Sequence, residues 1–248
     1  MPDRLDRPVV LRAADLAAGY RYPPHAHPWG QLVYALDGML RVETAGGNWL
    51  APPQRAVWVP PGVSHAVASA GPAAFRSLYI TADIARDLPD AVTVIEVGPL
   101  LRELIRAVAA LPPDYDPDGP DGRLVAVVLD RLQAAAPAPL HLPLPRDRRL
   151  AGIAQALIET PADRRSLSDF ARGAGASPRT LARLFQRETG LTFGQWRTRR
   201  RLLAAIERLA DGEAVTTVAY DLGYDSPSAF IAMFRRETGE TPARYFVR

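Results

Sequence analysis

The octapeptide Phe185-Gln186-Arg187-Glu188-Thr189-Gly190-Leu191-Thr192 returns later in the chain as Phe234-Arg235-Arg236-Glu237-Thr238-Gly239-Glu240-Thr241. Ser177-Pro178 returns at the same interval as Ser226-Pro227, and aromatic Trp196 as Tyr245. Ala171 and Gly175 recur as Ala219 and Gly223, one residue short of that interval, so the second copy has the longer turn. Two copies of one module indicate a duplication rather than a solenoid.

Each copy predicts a short helix, a tight turn and a second helix. Ser177 and Ser226 offer N-cap oxygens, and Pro178 and Pro227 fall at the first helical position, where a missing N–H costs nothing. Leu181, Leu184 and Phe185 make one apolar face, repeated by Phe230, Met233 and Phe234. Gly190 and Gly239 suit the position just past each helix end. Upstream, Ser166-Leu167-Ser168-Asp169 has the pattern of a capping box. This is helix-turn-helix grammar, written twice.

In such a unit the N-terminal half of the second helix enters the DNA major groove. The first copy presents Arg179, Thr180, Arg183 and Arg187 opposite its apolar face. Arg179 and Arg183 are four residues apart, therefore on one side, and each can make a bidentate contact to guanine. The second copy presents Ser228, Ala229 and Ala232, with Arg235 and Arg236 further along. Side chains this small can touch thymine methyls but specify little. The first copy is therefore expected to supply most base readout and the second mainly phosphate anchoring. Between the copies, Phe193 to Asp211 reads as one helix with Trp196, Leu203, Ile206 and Leu209 inward. Its cluster Arg197, Arg199, Arg200 and Arg201 either orients the two units or lies on a solvated face.

Charge agrees with an anionic partner for this end of the chain. Residues 146–248 carry 18 Arg against 12 acidic groups, whereas residues 1–145 carry 12 Arg against 15, and no Lys occurs. Clustered cations are rewarded by phosphate neutralisation and counterion release. With 48% apolar and 23% charged residues, the 248-residue chain is long enough for two globular domains. The absence of cysteine excludes disulfides, thiol catalysis and cysteine-held metal clusters. No apolar run approaches a membrane span, and Met1-Pro2-Asp3-Arg4 opens with charge, so the cytoplasm is the expected compartment.

Ahead of this basic part the grammar differs. Residues 8 to about 96 are rich in Gly, Pro, Trp and Val, with alternating runs at Gln31–Leu36, Met39–Glu43, Ala56–Val59 and Phe75–Ile80. Asp37-Gly38 between two such runs predicts a hairpin, and the whole stretch a β-barrel or sandwich. From Pro99 the period becomes helical, with Leu100, Leu101, Leu104, Ile105, Val108 and Leu111, then Leu124, Val127, Val128 and Leu132. Pro137 to Pro145, with four prolines, reads as a semi-rigid extended linker. The expected organisation is residues 1–96 as the β domain, 97–136 as a helical segment, 137–146 as linker and 147–248 as the all-α part.

Residues from about 150 to 248 resemble the two-unit DNA-binding domain of the AraC/XylS family of bacterial transcription regulators. The likeness rests on Ala171 to Phe185, Arg201-Leu202-Leu203-Ala204-Ala205, Val218 to Ser226, Phe230, Phe234, Thr241-Pro242 and Tyr245. It implies that Ser177–Arg187 and Ser226–Arg236 are the two reading segments. The departure at Pro227 and Ala229, where many members are polar, weakens base readout by the second.

Gly19, His25, His27, Gln31 and Gly38 resemble the first motif of the cupins, with Gln where Glu is usual. Pro60, Gly62 and His65 resemble the second, although Gln54 and Ser69 replace its Gly and Asn. On one strand, His25, His27, Trp29 and Gln31 would share a face, and a partner strand could bring His65 beside them. Three imidazoles and an amide oxygen suit a divalent transition metal such as zinc, nickel, iron or manganese. The resemblance therefore implies an N-terminal all-β cupin, a jelly-roll barrel followed by two helices, ahead of an all-α double helix-turn-helix domain. A small-molecule effector would bind in the barrel, with Trp29, Tyr34, Trp49, Arg55 and Trp58 as candidate walls. Double-stranded DNA, a second copy of the chain and RNA polymerase are the further partners implied, with residues 97–136 supplying dimer contacts. The alternative is a metal-dependent oxygenase or isomerase fused to a DNA-binding domain. Gln31 removes the usual carboxylate, and no further His is at hand as a base.

Overall fold

A computed structural model describes residues 5–69, 71–137 and 140–246, which form two compact units divided between His141 and Leu142. Among the described residues no helix is long and apolar enough to cross a membrane.

The first unit is all-β, with helices on one side. Its strands are β1 (Val9–Leu16), β2 (Arg21–His25), β3 (Gly30–Ala35), β4 (Leu40–Thr44), β5 (Gly47–Ala51), β6 (Arg55–Val59), β7 (His65–Ala68), β8 (Ala73–Ile80) and β9 (Thr93–Glu96). One sheet runs β1-β8-β3-β6-β9 and the other β5-β4-β7-β2, with the His141 end of β10 (His141–Pro143) beside β5. Every residue of β3 is buried, as a central strand covered on both faces requires. Leu32 and Tyr34 point to one face, where they join Trp58, Leu78 and Ile80 in a core closed by the helices. Gln31, on the opposite face, meets the other sheet at His65. Gly30 has no side chain because Trp58 fills its place: a Cβ there would lie 2.0 Å from the indole.

The hairpin expected at Asp37-Gly38 does not form. β3 already has β6 and β8 on its two edges, so the chain crosses at this turn into the other sheet, where β4 pairs with β5 and β7. Gly38 has φ +73, and a Cβ would meet the Pro72 carbonyl at 2.2 Å, so the crossing needs glycine on both counts.

After the short α1 (Ala82–Ala85), the predicted helices are α2 (Pro99–Ala109) and α3 (Pro120–Gln133). Leu101, Ile105 and Val108 pack with Val125, Val128 and Leu132 over the first sheet. Leu100 and Val127 remain 61% and 43% exposed on the outside. The proline-rich stretch is packed rather than a free spacer. Leu140 and Leu142 are buried, Leu140 accepts from the Leu50 N–H, and Pro137 bridges to Ile95. Ala138 and Pro139, also within that predicted linker, lie outside the described residues.

The second unit contains α4 (Arg148–Glu159), α5 (Leu167–Ala174), α6 (Pro178–Thr189), α7 (Phe193–Ala210), α8 (Val215–Asp221), α9 (Pro227–Thr238) and α10 (Pro242–Tyr245). Ser166 and Asp169 complete the capping box foreseen for α5, and Thr192 and Gln195 form another on α7. Gly190 and Gly239 end α6 and α9 in the left-handed conformation. Phe185, Trp196, Phe230 and Phe234 are fully buried, and the Trp196 indole N–H donates to the Pro143 carbonyl at 2.7 Å. Glu188, just before the end of α6, accepts from the backbone N–H groups of Arg146 and Asp147 at the entry to α4.

Candidate functional site

Each of α6 and α9 is the second helix of a helix-turn-helix, started by a serine. The Ser177 hydroxyl accepts from the Thr180 N–H and the Ser226 hydroxyl from the Ala229 N–H, both at 3.2 Å. These caps fix the orientation of the helix ends whose free N–H groups attract phosphate. Leu181, Leu184 and Phe185 are buried, as are Phe230, Met233 and Phe234, which turns the other face of each helix outward. On α6 that face carries Pro178, Arg179, Arg183 and Arg187, all exposed, with Thr180 half-buried. On α9 it carries exposed Ser228, Ala229, Ala232, Arg235 and Arg236. Arg187 and Arg236 lean on the adjacent Glu188 and Glu237. Arg179 and Arg183 have no ion pair among the described residues, so both are free to meet an outside anion.

The arginines of α7 have a different job. Arg200 donates to the Ile158 carbonyl at 2.9 Å, and Arg201 to the Pro161 carbonyl at 2.9 Å while lying over the Tyr224 ring. Arg197 donates to the Arg165 carbonyl, and burial lowers the pKa of Arg199. Of the two readings open for this cluster, the structure selects orientation: it ties the connecting helix to the end of α4 and to the loop between α4 and α5. Arg201→Ala should cost about 2 kcal/mol, because it strips a charged donor from half-buried carbonyls. Chemical denaturation of the whole chain would read this loss, with Arg201→Lys recovering part of it. An unchanged midpoint would return the cluster to the solvated surface.

In the β unit, the single strand expected for His25, His27, Trp29 and Gln31 is broken. His25 ends β2 in one sheet, Gln31 is in β3 of the other, and His27 lies in the connection, where Pro28 interrupts the run. The side chains still converge. β2 pairs with β7 so that His25 is opposite His65, and the ligand atoms of His25, His27 and His65 lie within 4.8 Å of one another. Gln31 Oε1 is 3.0 Å from His27 Nε2 and 2.9 Å from His65 Nε2.

The outer contacts decide which ring atoms face inward. His25 Nδ1 is 3.0 Å from the Pro23 carbonyl, His27 Nδ1 2.7 Å from that of Trp29, and His65 Nδ1 2.9 Å from that of Val63. A carbonyl can only accept, so each Nδ1 carries a proton, and in the neutral form of such a ring the Nε2 lone pair is left free. Burial holds His65 at about 4 and lowers His25, which keeps these rings uncharged at neutral pH. Gln31 Nε2 donates to the Ser77 hydroxyl, which donates to the Leu32 carbonyl, so the amide oxygen also faces inward. Lone pairs facing lone pairs at these distances form a donor set that fits a divalent cation.

The candidate effector walls do not surround this cluster together. Trp29 stacks on His27 at 5.1 Å, but Tyr34 and Trp58 sit on the helix-covered face, donating to the carbonyls of Pro53 and Pro89. Trp49 stacks on His141, and Arg55 lies beside Glu96. Strand alternation is the reason: Tyr34 is three residues from Gln31, so it points the other way. The pocket beside His25 and Gln31 is lined instead by Arg12, Tyr20, Tyr22 and Tyr79, with Phe75 and Val67. Sequence reasoning missed these. The available signal was alternation in β8, which puts Phe75, Ser77 and Tyr79 on one face and Leu78 and Ile80 on the other.

Comparison with known proteins brings the two parts together. The family described as AraC-like ligand binding domain matches residues 7–172, and the helix-turn-helix domain family matches residues 170–248. The HTH-type transcriptional regulator NimR of Escherichia coli K12 is 36% identical over 226 residues, covering 91% of this chain and 82% of NimR. The regulator RipA of Corynebacterium glutamicum is 40% identical over 103 residues, covering 42% of this chain and 31% of RipA. A solved structure of ToxT from Vibrio cholerae aligns over 97% of this chain and 98% of its own, at 10% identity and a TM-score of 0.41.

Proposed function

The chain belongs to the AraC-like family of HTH-type transcriptional regulators, and from that premise we propose that it couples a small molecule, sensed beside a histidine-held metal, to unequal reading of DNA by α6 and α9. That it is a DNA-binding regulator with a ligand-binding domain follows from the family and its relatives. Those relatives are regulators, which sets aside the metal-dependent enzyme considered from the sequence.

The observation that carries the reading of DNA is the contrast between the two outward faces. The face of α6 offers unpaired Arg179 and Arg183, suited to guanine, whereas that of α9 offers Ala229 and Ala232 ahead of Arg235 and Arg236. Direct base recognition falls to α6 and backbone anchoring to α9. His25, His27, His65 and Gln31 would hold zinc, nickel, iron or manganese, and such an ion supplies a positive centre for an electron-rich group of the effector. The chain's own part is to orient that centre: the carbonyls of Pro23, Trp29 and Val63 set the rings, and Ser77 sets the amide. The chain works in the cytoplasm as a homodimer, with RNA polymerase as a further partner. Exposed Leu100 and Val127 on α2 and α3 support the dimer contact.

Footprinting of the purified full-length protein on its own promoter region tests the reading. Protection is expected over two successive major-groove faces, with guanine methylation interfering in one of them only. Equal interference in both faces would refute the division of labour.

A further inference from the structure

From the pocket beside the histidines we infer that the effector is a small carboxylate, gripped by Arg12 and Tyr79 at one end and facing His25 and Gln31 at the other. This rests on the reading of the N-terminal unit as effector-sensing.

Three features carry it. The first is charge. The pocket lies beside Gln31 and is lined by Arg12 from β1, by the phenols of Tyr20, Tyr22 and Tyr79, and by His25, but by no carboxylate. Arg12 has no ion pair among the described residues. The acidic residue closest to it on β1, Asp15, lies on the alternate face of the strand, 3.6 Å from Arg76. An unpaired guanidinium in a half-enclosed, phenol-lined pocket is a site for an anion, and its planar fork matches a carboxylate. The second is the arrangement of donors. Val10 and Gln31 are both register partners of Tyr79, and Arg12 is the partner of Ser77. The pleat therefore puts Arg12, Tyr79 and Gln31 on one side of three adjacent strands. Tyr79 is 7% exposed, its ring packs edge-on to His27, and its phenol lines the same pocket as the guanidinium.

The third is size. The free space is small, about 30 Å³, and partly open to solvent, which favours a short acid over a sugar or an aromatic acid. A hydroxyl or oxo group next to the carboxylate would then point at the histidine cluster, which is why 2-hydroxy and 2-oxo acids fit better than plain ones.

The test is calorimetric titration of the metal-loaded full-length protein with glycolate, pyruvate and acetate, each paired with its neutral amide. The acids are expected to bind about 10- to 100-fold more tightly than the amides, with glycolate and pyruvate ahead of acetate. Arg12→Gln should erase the preference for acid over amide, and Tyr79→Phe should reduce it several-fold. Metal content and thermal midpoint, measured on both variants, separate loss of recognition from loss of folding. Amides binding as tightly as acids would overturn the carboxylate assignment and leave the sensing site standing. If none of the six compounds binds, the sensing role of this pocket falls as well. An acid preference that survives Arg12→Gln overturns the role of Arg12.

Discussion

Replacing Arg179 and Arg183 together by alanine is expected to weaken binding to the cognate operator by about 100-fold or more, while affinity for unrelated duplex changes only a few-fold. Each bidentate arginine–guanine pair is worth about 1–3 kcal/mol of discrimination. Both side chains lie one turn apart on the exposed face of α6, near a start fixed by the Ser177 cap, and neither is held in an ion pair among the described residues. Nothing in the fold depends on them, so loss of affinity will report recognition rather than unfolding. Arg235→Ala, by contrast, should lower affinity for all sequences alike and reduce the slope of log K against log salt by about one. Anisotropy titrations on matched operator and scrambled duplexes, over a range of salt, separate the two signatures. A uniform loss in the double α6 variant would reassign α6 to backbone anchoring.

Removal of His65 should have an effect of similar size at the other end of the chain. The wild-type protein is expected to carry one equivalent of divalent metal, and His65→Ala essentially none. The thermal stabilisation conferred by added metal, about 2.7 kcal/mol at a hundredfold excess over Kd, should vanish with it. His65 is 1% exposed and meets Gln31 and His25, so alanine also leaves a small polar cavity. Gln31→Glu provides the control with the opposite sign. It keeps the volume but puts a carboxylate among the imidazoles, so removing metal with a chelator should cost the variant far more stability than it costs the wild type. Metal analysis together with melting curves, with and without chelator, reads both. If His65→Ala retains its metal, the histidine cluster is not where the ion binds.

What the chain reveals before folding depends on how local the information is. The caps of α5, α6 and α9, their buried faces and their left-handed glycine ends are written within a few consecutive residues, and all could be read directly. The recognition helices were legible for the same reason, since a helix face is a matter of spacing. The β unit is held by pairings between distant strands. Asp37-Gly38 has the composition of a hairpin turn, but which sheet receives β4 is decided by β6 and β8 occupying the edges of β3. The same non-locality scattered the predicted walls: Trp29, Tyr34, Trp49, Arg55 and Trp58 were chosen as large residues in one stretch, and the sheet sends them to different faces. Arg12 and Tyr79 could not be joined from sequence because their proximity is a property of the β1–β8 register. Even the arginines of α7, one helix apart from the exposed ones of α6, differ only in what packs beside them.

The amide of Gln31 has one property that the usual glutamate lacks: it can be turned over. Rotated by half a turn, it would give its two N–H groups to the imidazoles of His27 and His65 and accept a hydrogen bond from the Ser77 hydroxyl, which would turn away from the Leu32 carbonyl to donate it. If the cluster holds an ion as proposed, loss of that ion would then be a rearrangement of side chains rather than a folding event.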